Sequence, residues 1–207
     1  MDHTARFATL VAGPEAEIPL DEAALLIASH DHDVDVDGQL GRLDDLAGQM
    51  RAPTVDEVRR VLFTENGFAG AADDYYAPEN SFLDAVLDRR RGIPITLTVL
   101  MMEVGRRAGV SIHGIGAPGH FLALHGDQLL DPFAGGAPTQ ADGVHPVYLA
   151  PVGPRAILAR MLANLRQIYQ TTGEFSSLLW VLRLRCAIPD VPDSDHAELA
   201  RMEASLN

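Results

Sequence analysis

The sequence predicts an α+β fold, with helices towards both ends of the chain and a small sheet between them. Apolar residues recur at steps of three and four through much of the first half of the 207-residue chain, which is the spacing of amphipathic helices. The pattern changes to short extended segments between Ile112 and Asp131, and it returns to helical spacing from Ile157 onward. Such changes of period are typical of a mixed fold in which helices pack on one small sheet.

Three helices are predicted before residue 70. The first covers Leu20 to His30. The second has an apolar stripe at steps of three and four, formed by Val36, Leu40, Leu43, Ala47 and Met50. Thr54 and Glu57 have the spacing of a capping box, so they are expected to start the third helix, and Gly67 is expected to end it.

The next predicted elements surround a helix that begins with a proline. Residues 69–80 are predicted to be a loop, and Ser81 is predicted to cap a short helix that runs through Arg90. Pro94 suits the first position of the following helix, because a missing N–H is harmless there, and Gly109 ends that helix. Three short strands are then predicted, the last two joined by a turn at Gly126-Asp127: Ile112 to Ala117, Phe121 to His125, and Gln128 to Asp131.

The segment from Pro138 to Pro154 is rich in Pro, Gly and Asp and predicts a domain boundary. We therefore divide the chain into residues 1–150 and residues 151–207. Two amphipathic helices that end at Gly173 and Pro189 are predicted in the second part, and a last helix follows from Asp195 to Leu206. Their spacing is close to that of one tetratricopeptide unit. Because one such unit cannot bury its own apolar face, the tail is expected to pack on the first domain.

The composition argues against several classes of protein. The net charge of −13 disfavours nucleic acid, which is bound through clustered Lys and Arg, and it disfavours an anionic membrane surface. No apolar stretch approaches the ~20 residues that span a bilayer, and the acidic start with a short apolar run is not typical of a signal peptide. Cys186 is the only cysteine, which fits a reducing compartment. We therefore expect a cytoplasmic protein.

The order of three residues indicates the frame of a catalytic site. Pro94 opens a helix, His120 starts a strand and Asp131 ends the next strand. Enzymes of the papain and transglutaminase type combine a nucleophile at a helix N-terminus with a His and a residue that orients it. Proline supplies neither a nucleophile nor an N–H for an oxyanion hole. The frame is therefore predicted to be present with Pro94 in the nucleophile position.

Three other side chains could supply a nucleophile. Thr96 and Ser81 carry hydroxyl groups near the predicted helix start, and each would have to face the groove in order to act. Cys186 follows Leu184 on an apolar helix of the tail, where a buried structural thiol is the commoner case.

The pair His120 and Asp131 has two interpretations. It can be a buried hydrogen-bonded pair that fixes the register of the strands. It can also be a general base oriented by a carboxylate and acting on a bound small molecule.

The segment from Asp33 to Asp44 fits the template of a calcium-binding loop, with aspartates alternating before Gly38 and Asp44 in place of the final Glu. The apolar stripe that begins at Val36 competes with this interpretation, because it makes the same residues helical. Asp35 or Asp37 is then the cap of that helix. We expect no metal site and no cofactor.

Longer motifs carry a family resemblance. They are LFTENGF at 62–68, DDYYAPENSFLDAVLDRRRGIPITL at 73–97, PGHFLAL at 118–124, DPFAGG at 131–136 and LARMLANLRQIY at 158–169. These motifs resemble the SirB-type proteins of bacteria, which are transglutaminase-like proteins with a tetratricopeptide tail. The resemblance implies a transglutaminase-like (papain-like) core with N-terminal helices over residues 1–150 and a short helical, TPR-like tail over residues 151–207. It also implies Gly-Ile-Pro-Ile, rather than a cysteine, at the start of the central helix.

Two functions follow from these observations. In the first, the chain is a catalytically degenerate protein whose groove binds an unknown protein or peptide, or a small molecule. In the second, it is a hydrolase, lyase or isomerase that uses His120 and Asp131 without a thiol. The candidate catalytic residues are His120 and Asp131, and the candidate ligand contacts are Asn80, Arg91, Pro94, Thr96, Pro118 and His120.

Overall fold

The computed structural model describes residues 2–117, 119–140 and 145–205. Helices precede and follow a five-stranded sheet, and a separate pair of two-residue strands lies between the fourth and sixth helices. The predicted α+β class is therefore confirmed.

Helix α1 (His3–Ala12) was not predicted. It begins after Asp2, whose carboxylate accepts a hydrogen bond from the backbone N–H of Thr4 at 3.0 Å. Phe7 and Val11 are fully buried and α1 packs against the helices that surround it. Only these two buried positions mark its inner face, and so short a pattern is too weak to identify a helix from sequence.

The three predicted N-terminal helices are present as α2 (Leu20–Ala28), α3 (Val36–Gly48) and α4 (Val55–Arg59), and wider helical turns continue α4 through Arg60–Glu65. Half of the predicted capping box forms. The Thr54 hydroxyl accepts from the N–H of Glu57 at 3.3 Å, but the Glu57 carboxylate accepts from the N–H of Arg51 at 2.8 Å. The glutamate therefore fastens the preceding loop instead of the helix start.

The predicted loop before α5 (Leu83–Arg89) contains a short strand, β1 (Ala69–Gly70), which pairs in parallel with β2 (Arg91–Gly92). The prediction that Ser81 caps α5 was wrong. Phe82 occupies the N-cap position, and Ser81 belongs to the 3-10 turn Pro78–Ser81, where its buried hydroxyl has no hydrogen-bond partner in the described part of the chain.

Helix α6 (Pro94–Arg107) is the core of the molecule, and Pro94 takes its first position as predicted. It contacts α2, α3 and α4 as well as the sheet. Val99, Leu100 and Met101 are consecutive residues and all three are fully buried, so the helix is covered on several faces.

The sheet is antiparallel and has the strand order β6-β5-β4-β3-β7. Its strands are β3 (His113–Ile115), β4 (Leu122–His125), β5 (Gln128–Asp131), β6 (Ala137–Pro138) and β7 (Pro151–Val152). The three predicted strands and the turn at Gly126-Asp127 are confirmed, and Gly126 has the positive φ of 57° that a tight hairpin requires. Strands β6 and β7 are two residues long and contain proline, so no alternating pattern marks them.

The tail consists of α7 (Pro154–Thr172), α8 (Phe175–Ala187) and α9 (Asp193–Ser205), and α7 ends at Gly173 as predicted. Helix α8 packs on α1, and α7 contacts α2 and α6, so the tail is joined to the rest of the chain. Strand β7 and the start of α7 follow residue 150 directly. The division at that residue stays a prediction. Within the described ranges, no helix is long and apolar enough to cross a membrane.

A buried ion cluster fastens the tail helices together. Asp195 on α9 is 1% exposed and accepts two hydrogen bonds from Arg185 on α8, at 2.9 and 2.6 Å, and one from Arg166 on α7, at 3.0 Å. Arg185 also donates to the carbonyl of Ala159 on α7 at 2.7 Å.

Asp195→Asn should lower the free energy of unfolding by about 3 kcal/mol, because it leaves Arg185 without its buried counter-charge, while Arg166 keeps its ion pair with Glu198. Urea unfolding followed by circular dichroism measures this change. Asp193→Asn is the matched control, since Asp193 is exposed on the same helix, and it should stay within about 0.5 kcal/mol of wild type. Equal effects of the two variants would contradict the role assigned to the cluster.

His32 lies between two carboxylates. Its Nε2 is 2.6 Å from Asp84 Oδ2 and its Nδ1 is 3.2 Å from Asp31 Oδ2. Only the protonated ring can donate to both. Burial lowers the pKa of His32, but the hydrogen bonds and charges of Asp84 and Asp31 outweigh that effect and raise the pKa above the ordinary value of 6.5.

We expect the stability that His32 contributes to be present in full below the unfolded-state pKa and to be lost as the pH rises through the higher folded-state pKa. Thermal unfolding of wild type and His32→Gln, compared across the neutral and mildly alkaline range, should show a difference that shrinks with increasing pH. His113→Gln is the control, because the ring of His113 bonds to Ser111 and to no carboxylate of the described residues. A pH-independent difference for His32→Gln would refute the assignment.

Candidate functional site

The His120–Asp131 pair forms as predicted. His120 Nε2 lies 3.0 Å from Asp131 Oδ2. The contact is a consequence of the hairpin, in which Ala123 pairs with Leu130 and His125 with Gln128, so the residues just before β4 and at the end of β5 meet at the same end of the sheet. The His120 side chain is 36% exposed and that of Asp131 is 20% exposed.

Asp131 also supports the backbone. Its second oxygen, Oδ1, accepts from the N–H groups of Phe133 and Ala134 at 2.9 and 3.2 Å, which caps the 3-10 turn Pro132–Ala134. An ionised carboxylate can only accept hydrogen bonds. In the contact with Asp131, the proton is therefore assigned to His120 Nε2. His120 Nδ1 has no hydrogen-bond partner among the described residues, and in this tautomer it can accept a proton.

Pro94 and His120 line the same notch, as predicted. The notch has a volume of about 30 Å³, and Ile95, Gly119 and Phe121 complete most of its wall. A volume of that size accommodates about one water molecule. A substrate acyl group therefore has no room between Pro94 and His120.

The other candidate nucleophiles do not reach His120. The Thr96 hydroxyl is fully buried and donates to the carbonyls of Asn80 and Ile93, which lie 2.6 and 3.1 Å away. Ser81 is 1% exposed and does not line the notch. Cys186 is on α8 in the tail, and burial raises the pKa of its thiol, which makes it less reactive.

The predicted ligand contacts separate into two groups. Pro94 and His120 line the notch. Asn80 is fully buried, and its side-chain N–H donates to the carbonyl of Asp74 at 2.7 Å, so Asn80 and Thr96 support the start of α6 from inside. Arg91 is exposed on β2 and lines neither the notch nor the cavity beside it. Pro118 lies outside the described residues.

A larger cavity beside the notch was not predicted. Its volume is about 250 Å³, and it shares Tyr75, Ile93, Gly119, Arg160 and Asn164 with the notch. Tyr76, Ser81, Gln167 and Ile168 complete its wall. One signal was present in the sequence: the polar residues Arg160, Asn164 and Gln167 recur at i, i+4 and i+7, which places them along one face of α7.

Arg160 holds the loop that carries His120. Its Nη2 donates to the carbonyls of Ala117 and His120, both at 2.9 Å, and its guanidinium lies 5.2 Å from the centre of the Phe121 ring. Burial lowers the pKa of Arg160, and the nearby Tyr75 hydroxyl opposes that change. The tail helix α7 therefore positions the loop between β3 and β4.

The calcium-loop template does not form a loop. Helix α3 begins at Val36, and the Asp35 carboxylate caps it by accepting from the N–H of Gly38 at 3.0 Å. This confirms the competing interpretation. In the part of the chain that the structure describes, no group of three or more His, Cys, Asp or Glu side chains is placed to hold a metal ion.

Comparison with known proteins is consistent with this frame. The model of the transglutaminase-like superfamily matches residues 37–163. A UPF0162 protein of Xylella fastidiosa (strain 9a5c) is 36% identical in an alignment of 164 residues that covers 66% of this chain and 57% of that protein. A UPF0162 protein of Pseudomonas aeruginosa is 30% identical in an alignment of 191 residues that covers 81% of this chain and 71% of that protein.

A shorter similarity extends to a larger protein. F-box only protein 21 of Mus musculus is 35% identical over 74 residues, which is 36% of this chain and 12% of that protein. No solved structure matches the chain. The matched part covers little more than half the length of the Xylella relatives, at 57% of each.

Asp131→Ala should release the His120 ring and uncap the turn after β5. Long-range ¹H–¹⁵N spectra of the histidine side chains should show the Nε2–H tautomer of His120 in wild type and a tautomer mixture in the variant. The free energy of unfolding should be about 1–2 kcal/mol lower than in wild type, as is typical when a capping side chain is removed. Asp127→Ala, in the exposed hairpin turn, is the control. An unchanged His120 spectrum in Asp131→Ala would contradict the geometry.

Proposed function

Because the chain belongs to the transglutaminase-like superfamily, we propose that it is a catalytically degenerate member of that superfamily, which binds a peptide or a segment of a protein in the groove beside Pro94 and His120. The observation that carries the proposal is Pro94 at the first position of α6. At this position an enzyme of this kind needs a thiolate, activated by the helix N-terminus and by the histidine.

The surroundings of Pro94 support the loss of catalysis. Proline has no N–H to donate to an oxyanion. Its neighbours Ile93 and Ile95 are buried, and the notch holds about 30 Å³. The support of the site is nevertheless intact, since Asp131 and Arg160 still hold His120 in place.

The cavity beside the notch supports the binding role. Tyr76 is 68% exposed at its edge and packs edge-on against Tyr75, with ring centres 5.2 Å apart. Tyrosines on a protein surface are frequent anchors for a bound chain, because they bury a large area at little cost in conformational entropy. Helix α7 provides the opposite polar side of the cavity through Arg160, Asn164 and Gln167.

The finer family assignment is part of this proposal. We assign the chain to the SirB type, with a transglutaminase-like domain over residues 1–150 and a TPR-like tail over residues 151–207. The contribution of α7 to the cavity supports a tail that takes part in binding. The single cysteine is the basis for placing this function in the cytoplasm.

A second function is favoured by one observation. His120 Nδ1 is without a partner among the described residues and the ring is partly exposed, so His120 can act as a general base held by Asp131. This supports a hydrolase, lyase or isomerase that does not use a thiol. Turnover of an ester or amide that survives iodoacetamide and disappears in His120→Ala would favour this second function over the first.

Pro94→Cys should not restore activity. The variant should lose about 1 kcal/mol of stability or less, because a cysteine is compatible with a helix start. Its thiol should react faster with iodoacetamide than Cys186, since the helix N-terminus lowers a thiol pKa. Hydrolysis of p-nitrophenyl acetate should stay within about tenfold of wild type, because each missing oxyanion donor costs about 10²–10³ in rate. Much faster hydrolysis that His120→Ala abolishes would show that only the nucleophile is missing.

The binding role is tested by selecting peptides from a random library displayed on phage. Selected peptides should bind wild type and should bind Tyr76→Ala at least about tenfold more weakly, as expected when a tyrosine anchor is removed. Tyr148→Ala is the matched control, because Tyr148 is 50% exposed and lies outside both the notch and the cavity. Selected peptides that bind all three proteins equally would place binding elsewhere on the molecule.

A further inference from the structure

We infer that the cavity beside the notch is a carboxylate-binding subsite, with Arg160 as the group that holds the carboxylate. The inference deepens the proposed binding function, on which it rests, by identifying the chemical group that a bound peptide presents there. The carboxylate is supplied either by an acidic side chain or by the C-terminus of the peptide.

Arg160 differs from the other arginines that are at least partly buried. Eight of these form an ion pair with a carboxylate of the chain: Arg6, Arg42, Arg59, Arg60, Arg107, Arg155, Arg166 and Arg185. Arg160 has no carboxylate partner among the described residues. Its positive charge is therefore incompletely compensated, in a chain whose net charge is −13. A charge withdrawn from water is retained at a cost unless an anion pairs with it.

The hydrogen bonds of Arg160 leave two nitrogens of its guanidinium for a ligand. Both backbone carbonyls, of Ala117 and His120, are bound by Nη2. Nε and Nη1 have no protein acceptor within the described part of the chain. Their N–H groups point to different sides of the guanidinium, so each can donate a single charge-assisted hydrogen bond to a carboxylate oxygen.

The rest of the cavity fits an acidic group. No Asp or Glu of the described part of the chain lines it, while Asn164 and Gln167 contribute amide groups. Ser81 also lines it, and the buried Ser81 hydroxyl has no hydrogen-bond partner among the described residues, so a ligand oxygen could accept from it. Ile93 and Ile168 provide apolar wall for the carbon atoms that carry the carboxylate. A volume of about 250 Å³ accommodates one amino-acid side chain and lies below the usual range for cofactor pockets.

The number of charges favours a carboxylate over a phosphate. Among the described residues, Arg160 is the only cationic side chain in the wall of the cavity. Recognition of a phosphorylated residue usually relies on a cluster of arginines that matches its charge of nearly two. A single arginine with neutral donors matches a single negative charge.

The first experiment titrates the protein with sodium acetate and follows the arginine Nε–Hε signals by ¹H–¹⁵N NMR, at constant ionic strength with sodium chloride and near neutral pH. Arg160 Hε and the Gly119 amide should shift in a saturable manner. Arg90 and Arg91 are internal controls, because they are exposed and have no ion pair among the described residues. Shifts of equal size at all three arginines, or none at Arg160, would overturn the inference. Tighter saturation by inorganic phosphate than by acetate would overturn it as well.

Variants separate binding from the support of the loop. Arg160→Gln should abolish saturation at Gly119, and Arg201→Gln removes one charge outside the cavity as the matched control. Because Arg160 also holds the backbone of His120, Asn164→Ala is the second variant, which leaves that support in place. It should weaken acetate binding by a few fold, as for loss of one hydrogen bond to a charged group. Unchanged affinity in both Arg160→Gln and Asn164→Ala would refute the subsite.

Peptides distinguish the source of the carboxylate. A peptide selected on phage is synthesised with its acidic residues changed to the amides, with its C-terminus amidated, and with both changes. Loss of on the order of tenfold in affinity for one single change identifies the source. Peptides that bind at Tyr76 with no carboxylate requirement would leave the proposed function standing and overturn the subsite. Saturable acetate binding without any selected peptide would support the subsite and overturn the proposed peptide-binding function.

Discussion

The burial of helix α6 constrains the rest of the structure. Eleven of its 14 residues are buried, including Thr96, Thr98 and Glu103. A helix buried on nearly every face has to be covered by several other elements, and here α2, α3, α4 and the sheet cover it. Its polar groups are satisfied locally, since both threonines donate to backbone carbonyls and Glu103 pairs with Arg106 and Arg107. The position of Pro94 at one end of this helix is therefore fixed by the core.

The loop that carries His120 is held from two sides. Asp131 fixes the imidazole from the sheet, and Arg160 fixes the backbone of the same residue from the tail helix α7. The other carboxylate oxygen of Asp131 accepts a hydrogen bond from the turn that follows β5. Each of these groups therefore has a structural task that is independent of any reaction.

That double use means that the His120–Asp131 contact does not depend on a nucleophile. Helix α6, the hairpin and the His120–Asp131 contact are all formed with proline at the first position of α6. A preserved histidine–carboxylate pair is for this reason weak evidence of catalysis. Arg160 is a different kind of observation, since its guanidinium has no carboxylate partner among the described residues.

Local spacing in the sequence was sufficient for the elements with strong signals. The helix at Pro94, the hairpin around Gly126 and the order of Pro94, His120 and Asp131 were all predicted, because proline, glycine and alternating apolar residues restrict the backbone locally. The contact between His120 and Asp131 followed from the hairpin, since antiparallel pairing brings those positions together.

Tertiary structure decided what spacing could not. Strands β6 and β7 exist only because their partners are present, and α1 is stabilised by the helices on which it packs. Asn80 and Thr96 were predicted to contact a ligand together with Pro94, yet both are fully buried. Arg160 is 40 residues from His120 in sequence, and only the packing of α7 against the sheet brings its charge to the loop. The sequence by itself therefore determined the order of Pro94, His120 and Asp131 and the contact between the last two. The cavity beside that frame depends on contacts between distant segments, which no local pattern records.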